Sequence, residues 1–156
     1  MSFLKGMFGG KSSSMKLEER AALEQYLVAA DPLLHQLDAE YEQWLQRAGI
    51  SRGTDLAGIN DPKGEHSGVF VWRTLEAERL FTQLQPPHHA MRLHDNYVSC
   101  FEGRHRAASL VYEALQVSDV RSPKSALEQA SQGLGEAQDH RKKAENERGQ
   151  IDRLLR

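Results

Sequence analysis

The sequence has only one cysteine, Cys100, among its 156 residues. One thiol excludes an intramolecular disulfide and any zinc finger or zinc ribbon built on several cysteines. Long apolar runs are also missing, because none approaches the roughly 20 residues that a helix needs to cross a bilayer. No continuous apolar core typical of a signal peptide follows Lys5. A single cysteine suits a reducing compartment, so we expect a cytoplasmic protein.

An excess of charge is missing as well. The 20 Lys and Arg residues nearly balance the 22 Asp and Glu residues, for a net charge of −2. A nucleic-acid-binding domain usually carries a basic excess, so we expect no nucleic-acid partner. The hydrophobic fraction of 39% and the charged fraction of 27% are those of an ordinary globular domain with a core of its own.

Strand-like alternation is absent, and apolar residues instead recur at intervals of three and four. That spacing places them on one face of an amphipathic helix. The predicted helices cover residues 15–48, 69–84, 87–117 and 123–155. Short turns favour antiparallel neighbours, so we predict an all-α, up-down-up-down four-helix bundle over residues 15–156, with two long helices and one short one. Residues 1–14 form a separate amphipathic segment with a Gly/Ser linker.

Proline and tryptophan positions refine this prediction. Asp31-Pro32 has the signature of a helix start, but the apolar spacing continues across it, which favours one kinked helix over a restart. We expect Trp44 and Trp72 to be core anchors. The buried side of the second helix would then comprise Trp72, Leu75, Leu80 and Leu84.

Three polar residues of the third helix fall on or beside its apolar face. We expect His94 to be buried and hydrogen-bonded, and Cys100 to be a buried structural thiol. Arg104 needs a counter-charge there, so we predict a semi-buried ion pair that fixes the helix register. The acidic first helix offers three candidate partners for it: Asp38, Glu42 and Glu24.

Gly10-Lys11-Ser12 invites comparison with a phosphate-binding loop. A Walker A loop has a glycine, four further residues, and then Gly-Lys-Ser or Gly-Lys-Thr. The position that requires the first glycine is occupied by Lys5, and no buried strand is predicted beside the loop. We therefore predict no nucleotide site and no cofactor.

The apolar residues of the N-terminal segment are spaced so that one or two helical turns would present them together. The candidate membrane- or partner-binding residues are Phe3, Leu4, Lys5, Met7 and Phe8. Aromatic and apolar side chains beside lysine are typical of segments that lie in an anionic membrane interface. The alternatives are a loose terminus and a flap that packs on its own bundle.

A metal site is the alternative hypothesis from another class. Glu102 and His105 have the Glu-x-x-His spacing of di-iron carboxylate bundles, and His94 lies on the same predicted helix. A full site of that kind needs a second such motif, which the predicted helices lack. His94, Glu102 and His105 are the candidate ligands for a metal or a small molecule.

These observations favour one functional hypothesis over its rivals. We expect a non-enzymatic adaptor or interaction protein, attached peripherally to a membrane or a larger assembly through its N-terminus. Its partners would be a second copy of the chain or another protein, since the thin apolar face of the last helix suits a dimer contact. The alternatives are the metal- or ligand-binding bundle and an oligomer whose N-terminus packs against a neighbouring copy.

Overall fold

The computed structural model describes residues 15–51, 54–116 and 123–156. Four α-helices make up most of these residues: α1 Leu17–Arg47, α2 Glu65–Gln83, α3 Met91–Gln116 and α4 Pro123–Leu154. Single 3₁₀ turns at Pro62–Gly64 and His88–Ala90 precede α2 and α3. The described parts of the chain contain no strand. The predicted all-α four-helix bundle, with long α1 and α4 and a short α2, is confirmed.

Side-chain contacts give the helix directions. Asp31 of α1 contacts Arg148 of α4, and Asp38, two turns further along α1, contacts Arg141, so α1 and α4 run antiparallel. In contrast, α1 and α3 run in the same direction. Tyr26 of α1 contacts His94 of α3, and Asp38, further along α1, contacts Arg104, which is ten positions further along α3. Parallel α1 and α3 on one diagonal are what an up-down-up-down order requires.

The first helix continues through Pro32 without interruption. Pro32 lacks an N–H group, so the turn that contains it has one hydrogen bond fewer than an ordinary helical turn. Leu27, Ala30 and Leu34 are buried on either side of it. Packing of this face holds the helix together across the proline. The prediction that the helix does not restart at Asp31-Pro32 is confirmed.

The second helix begins at Glu65, earlier than predicted, because an aspartate caps its start. The buried carboxylate of Asp61 accepts hydrogen bonds from the backbone N–H of His66 at 2.8 Å and of Ser67 at 3.0 Å. It also accepts one from the Ser67 hydroxyl at 2.6 Å. These bonds satisfy N–H groups that a helix start leaves without intrahelical partners.

The buried face of α2 is not the predicted one. Trp72, Leu75 and Leu80 are exposed, and only Leu84 of the predicted set packs against the core. The residues that are buried instead are Ser67, Phe70, Thr74, Ala77 and Phe81. Two of them are polar, which hid this face from a search for apolar spacing.

Hydrogen bonds explain how the two polar residues are buried. Ser67 accepts a hydrogen bond from the indole N–H of Trp44 at 2.9 Å, and Thr74 donates to the backbone carbonyl of Phe70 at 2.8 Å. The prediction that Trp44 is a core anchor is confirmed, since its ring is buried and stacks on Phe70 at 4.9 Å. Burying a polar side chain costs little free energy when it has a hydrogen-bond partner. The face of α2 with Ser67 and Thr74 can therefore pack inward, which leaves Trp72 on the outer face.

Candidate functional site

An apolar cavity lies on the outer surface between α2 and α3. Its volume is about 720 Å³, and Val69, Trp72 and Leu75 of α2 face Tyr112 of α3 across it. The Trp72 side chain is 77% exposed, whereas Trp44 is 2% exposed. A large aromatic residue left uncovered among other apolar side chains marks a surface that another molecule can cover.

A second cavity of about 650 Å³ adjoins the first and shares Leu75 and Ser109 with it. Its lining combines apolar Val98 and Phe101 with the charged or titratable Glu78, Arg79, Glu102, His105 and Arg106. We call the two cavities together the α2–α3 groove. The end of the groove at Trp72 is therefore mostly apolar, with Lys63 and Glu65 also in its lining, and the other end has more titratable groups along an apolar floor.

Close contact between the helices forms the wall at the apolar end. Gly64 has φ +69°, and a Cβ atom added there would lie 2.8 Å from the Cα atom of Tyr112. A Cβ atom on Gly68 would lie 2.8 Å from the ring of the same tyrosine. Glycine at both positions allows α3 to approach, which places the Tyr112 ring opposite Trp72.

Glu78 is the most desolvated acid of the groove, with a side chain that is 17% exposed. Burial raises its pKa from an ordinary value of 4.5 to about 7. A hydrogen bond from Thr74 and the charge of Arg104 act in the opposite direction, while the Glu102 carboxylate adds to the increase. Glu78 therefore exchanges a proton near neutral pH.

His105 lies beside this carboxyl group. Its Nδ1 atom is 3.3 Å from Oε2 of Glu78, yet it is buried and makes no hydrogen bond in the described structure. A buried ring nitrogen without a partner carries a desolvation cost. The pair is thus a polar position within the groove that an added hydrogen-bonding or charged group would complete.

The three candidate metal ligands are not brought together. His94 is buried with its Nδ1 atom 2.8 Å from the Tyr26 hydroxyl and its ring stacked on Phe81 at 4.8 Å. Glu102 is exposed, and His105 lies against Glu78. Within the described ranges, no three His, Cys, Asp or Glu side chains form a group that could hold a metal ion. The predicted buried, hydrogen-bonded His94 is confirmed by its contact with Tyr26, and burial lowers its pKa.

A separate polar cleft of about 660 Å³ lies between α1 and α4, with Arg104 of α3 in its lining. Arg104 donates to Asp38 at 3.1 Å, which confirms the predicted ion pair and selects one of its three candidate partners. Arg141 of α4 binds the same carboxylate at 2.8 Å. Burial by itself would raise the pKa of Asp38, but the hydrogen bonds and charges of Arg141 and Arg104 together hold that pKa below its usual value. The carboxylate thus joins three helices, which is a structural role.

Cys100 is fully buried, as predicted, and burial raises the pKa of its thiol to about 11. The thiolate is the reactive form of cysteine, so this side chain is inert at neutral pH.

The predicted N-terminal binding residues, Phe3, Leu4, Lys5, Met7 and Phe8, lie outside the described residues. In the part of the chain that is described, no helix has the length and apolar character to cross a membrane.

Sequence reasoning missed the groove itself. It assigned Trp72 and Leu75 to the core, because apolar side chains at helical spacing usually are core residues. A signal was present in the short run Ser67–Thr74, where two small polar residues are seven positions apart and define a second face of α2.

The chain matches no protein-family model, and the comparisons with curated proteins and with solved structures likewise give no significant match.

Proposed function

We propose that the protein is a non-enzymatic, cytoplasmic interaction protein of the adaptor type. It attaches peripherally to an anionic membrane surface or a larger assembly through Phe3, Leu4, Lys5, Met7 and Phe8. Its helical bundle supplies the second contact surface, the α2–α3 groove. The partners are proteins, a second copy of the chain among them.

The observation that carries the proposal is the exposure of Trp72 in an apolar groove. Tryptophan and tyrosine contribute most to binding where they lie at the centre of an interface. Here Trp72 faces Tyr112, and Val69 and Leu75 extend the apolar surface on either side. Val69, Trp72 and Leu75 are each at least 43% exposed, so the bundle alone does not cover them. A contact surface explains this exposure, whereas a purely structural role for α2 does not.

The N-terminal half of the proposal rests on composition. Residues 1–16 contain Lys5, Lys11 and Lys16 and no acidic residue. Apolar side chains bury themselves at the boundary of head groups and acyl chains, and each lysine near an anionic surface adds about 1 kcal/mol. One short segment binds a membrane weakly, so two copies in a dimer would bind with higher avidity.

Co-sedimentation with vesicles tests the attachment. The full chain is mixed with vesicles of phosphatidylcholine alone or with added phosphatidylserine, and compared with a full-length Phe3→Ser/Phe8→Ser variant. We expect the unmodified chain to pellet with the anionic vesicles, to be released by salt, and to lose this binding in the variant.

The matched control is Val28→Ser, which removes an apolar side chain that is 75% exposed on α1. This variant should pellet like the unmodified chain. Equal sedimentation of the unmodified chain and the Phe3→Ser/Phe8→Ser variant would rule out membrane attachment through the N-terminal segment. Sedimentation equilibrium of the same samples measures whether the chain is a dimer.

A further inference from the structure

We infer that the α2–α3 groove of the free protein is occupied by the N-terminal segment of the same chain, residues 3–8. The segment then has two competing binding places, the groove and the membrane or assembly to which the protein attaches. This inference rests on the proposed function, because it gives the groove and the attachment segment a common regulation.

The apolar chemistry of the segment fits the groove. Phe3, Leu4, Met7 and Phe8 supply two aromatic and two flexible aliphatic side chains. The groove offers the exposed rings of Trp72 and Tyr112 and, at its other end, the side chains of Val98 and Phe101. Aromatic and thioether side chains pack well against such rings.

The charges of the groove are balanced, with Glu65, Glu78 and Glu102 against Lys63, Arg79 and Arg106 in its lining. The segment carries one lysine, Lys5, and no acid. The neighbouring Arg79 is already engaged by Glu76, at 2.6 Å. Among the described ion pairs, Glu78 has only the misaligned contact with His105. The one positive charge of the segment therefore meets no net charge of its own sign in the groove.

The segment is long enough to reach the groove. Met15 packs against the core, and Glu19 lies 3.4 Å from His89, so α1 begins beside the turn that joins α2 to α3. From His89, α3 rises by ~18 Å to Phe101, at the near end of the groove, and by ~35 Å to Tyr112, at its apolar end. When extended, the chain spans up to ~25 Å from Met15 to Phe8 and up to ~43 Å from Met15 to Phe3. Residues 3–8 can therefore enter the groove of their own bundle.

Competition gives the arrangement a regulatory consequence. While the segment occupies the groove, its apolar residues are withheld from membranes and Trp72 is withheld from other proteins. Binding of the segment to a membrane empties the groove, so attachment and exposure of the groove occur together. The free-energy difference between the groove-bound and the membrane-bound state of the segment equals the difference between its binding free energies at the two places.

Disulfide trapping in the full chain tests the inference. A Gly9→Cys/Arg79→Cys variant places one thiol next to the segment and the other on the groove. The control, Gly9→Cys/Val28→Cys, places the second thiol on exposed α1, ~16 Å from the start of that helix and within reach of the same tether. Cys100 stays in place, because it is fully buried. We expect the groove pair to form an intramolecular disulfide roughly tenfold faster than the control pair.

Equal rates for the two pairs would overturn the inference. A disulfide-linked dimer in place of the intramolecular product would overturn it too, because it would show that the segment enters the groove of a second copy. Vesicles containing phosphatidylserine should slow the groove disulfide severalfold, and an unchanged rate with vesicle-bound protein would contradict the competition. Vesicle binding without preferential trapping would leave the proposed function standing, whereas trapping without vesicle binding would refute membrane attachment alone.

Discussion

Arg104 of α3 and Asp38 of α1 form a part-buried, hydrogen-bonded ion pair at 3.1 Å in the polar cleft between α1 and α4. The Arg104 side chain is 5% exposed, and its guanidinium carbon lies 3.8 Å from the centre of the Tyr41 ring. Asp38 accepts two further hydrogen bonds, both from Arg141 of α4. A single carboxylate therefore compensates two cations and relates the registers of α1, α3 and α4.

Replacement of Asp38 should be more harmful than replacement of Arg104. Asp38→Ala leaves the buried Arg104 without its counter-charge. Breaking a fully buried pair from one side costs about 3 to 5 kcal/mol of unfolding free energy, and because water reaches Asp38 we expect a loss at or below the lower end of that range. Arg104→Met keeps much of the apolar contact with Tyr41 and leaves Asp38 paired with Arg141. Urea denaturation at pH 7 measures both, and a loss for Arg104→Met that equals or exceeds that for Asp38→Ala would contradict the account.

Glu78 makes the stability of the bundle depend on pH. Burial raises its pKa from an ordinary value of 4.5 to about 7, so the folded state holds the proton more tightly than the unfolded state does. Titration of Glu78 therefore leaves the free energy of unfolding unchanged below about pH 4. It lowers this free energy progressively as the pH rises toward 7. The stability of Glu78→Gln relative to the unmodified chain should therefore increase by about 1 to 3 kcal/mol from pH 4 to pH 8.

The measurement is urea denaturation of both proteins at several pH values across this range. Any effect of glutamine on packing adds a constant to the difference and does not change its slope. A difference in unfolding free energy that is the same at pH 4 and pH 8 would show that Glu78 has an ordinary pKa.

Asp61 should be the most important cap of the bundle. It is buried and accepts three hydrogen bonds at the start of α2, two of them from Ser67. Asp61→Ala should lower the unfolding free energy by about 2 kcal/mol. Asp55→Ala is the matched control, since Asp55 accepts a single exposed bond from the N–H of Ala57. Similar losses for the two variants in thermal unfolding would refute the capping role.

Two glycines should respond oppositely to alanine. Gly64 has φ +69° and lies against the backbone of Tyr112, so Gly64→Ala should destabilise the protein by 1 kcal/mol or more, at order of magnitude. Gly135 lies inside α4 with open space around it, so Gly135→Ala should raise stability by up to ~1 kcal/mol. Calorimetry ranks the two melting temperatures, and a Gly64→Ala protein at least as stable as the parent would be inconsistent with the close approach of α2 and α3.

Much of the fold could be predicted from the sequence because apolar spacing and caps are local signals. The alternation across Pro32 correctly favoured one continuous α1, since packing outweighs one missing hydrogen bond. The ion pair of Arg104 was also predictable, because a cation on an apolar face needs a nearby acid, but the sequence left three candidate acids and the structure selects Asp38. Arg141 was missed as a third member, since its role depends on the distance between α1 and α4 and not on its own helix.

The candidate site could not be predicted because it depends on a rotation of α2. Ser67 can be buried because Trp44 and Asp61 supply its hydrogen-bond partners, and Thr74 can be buried because it donates to a backbone carbonyl. Spacing alone made Trp72 a core residue, whereas the tertiary partners of the polar face turned it outward. Local patterns predict which residues share a face, but the partners across the bundle decide which face is buried.

Acrylamide quenching of Trp72 tests the central claim, that the α2–α3 groove is a contact surface covered in the free full-length protein. The described helices leave Trp72 77% exposed and Trp44 2% exposed, so the difference in emission between the parent and Trp72→Phe isolates the groove residue. We expect Trp72 to be quenched severalfold less in the full chain than in its Phe3→Ser/Phe8→Ser variant. Equally strong quenching in both, at the level of a free indole, would show that nothing covers the groove and would contradict the account.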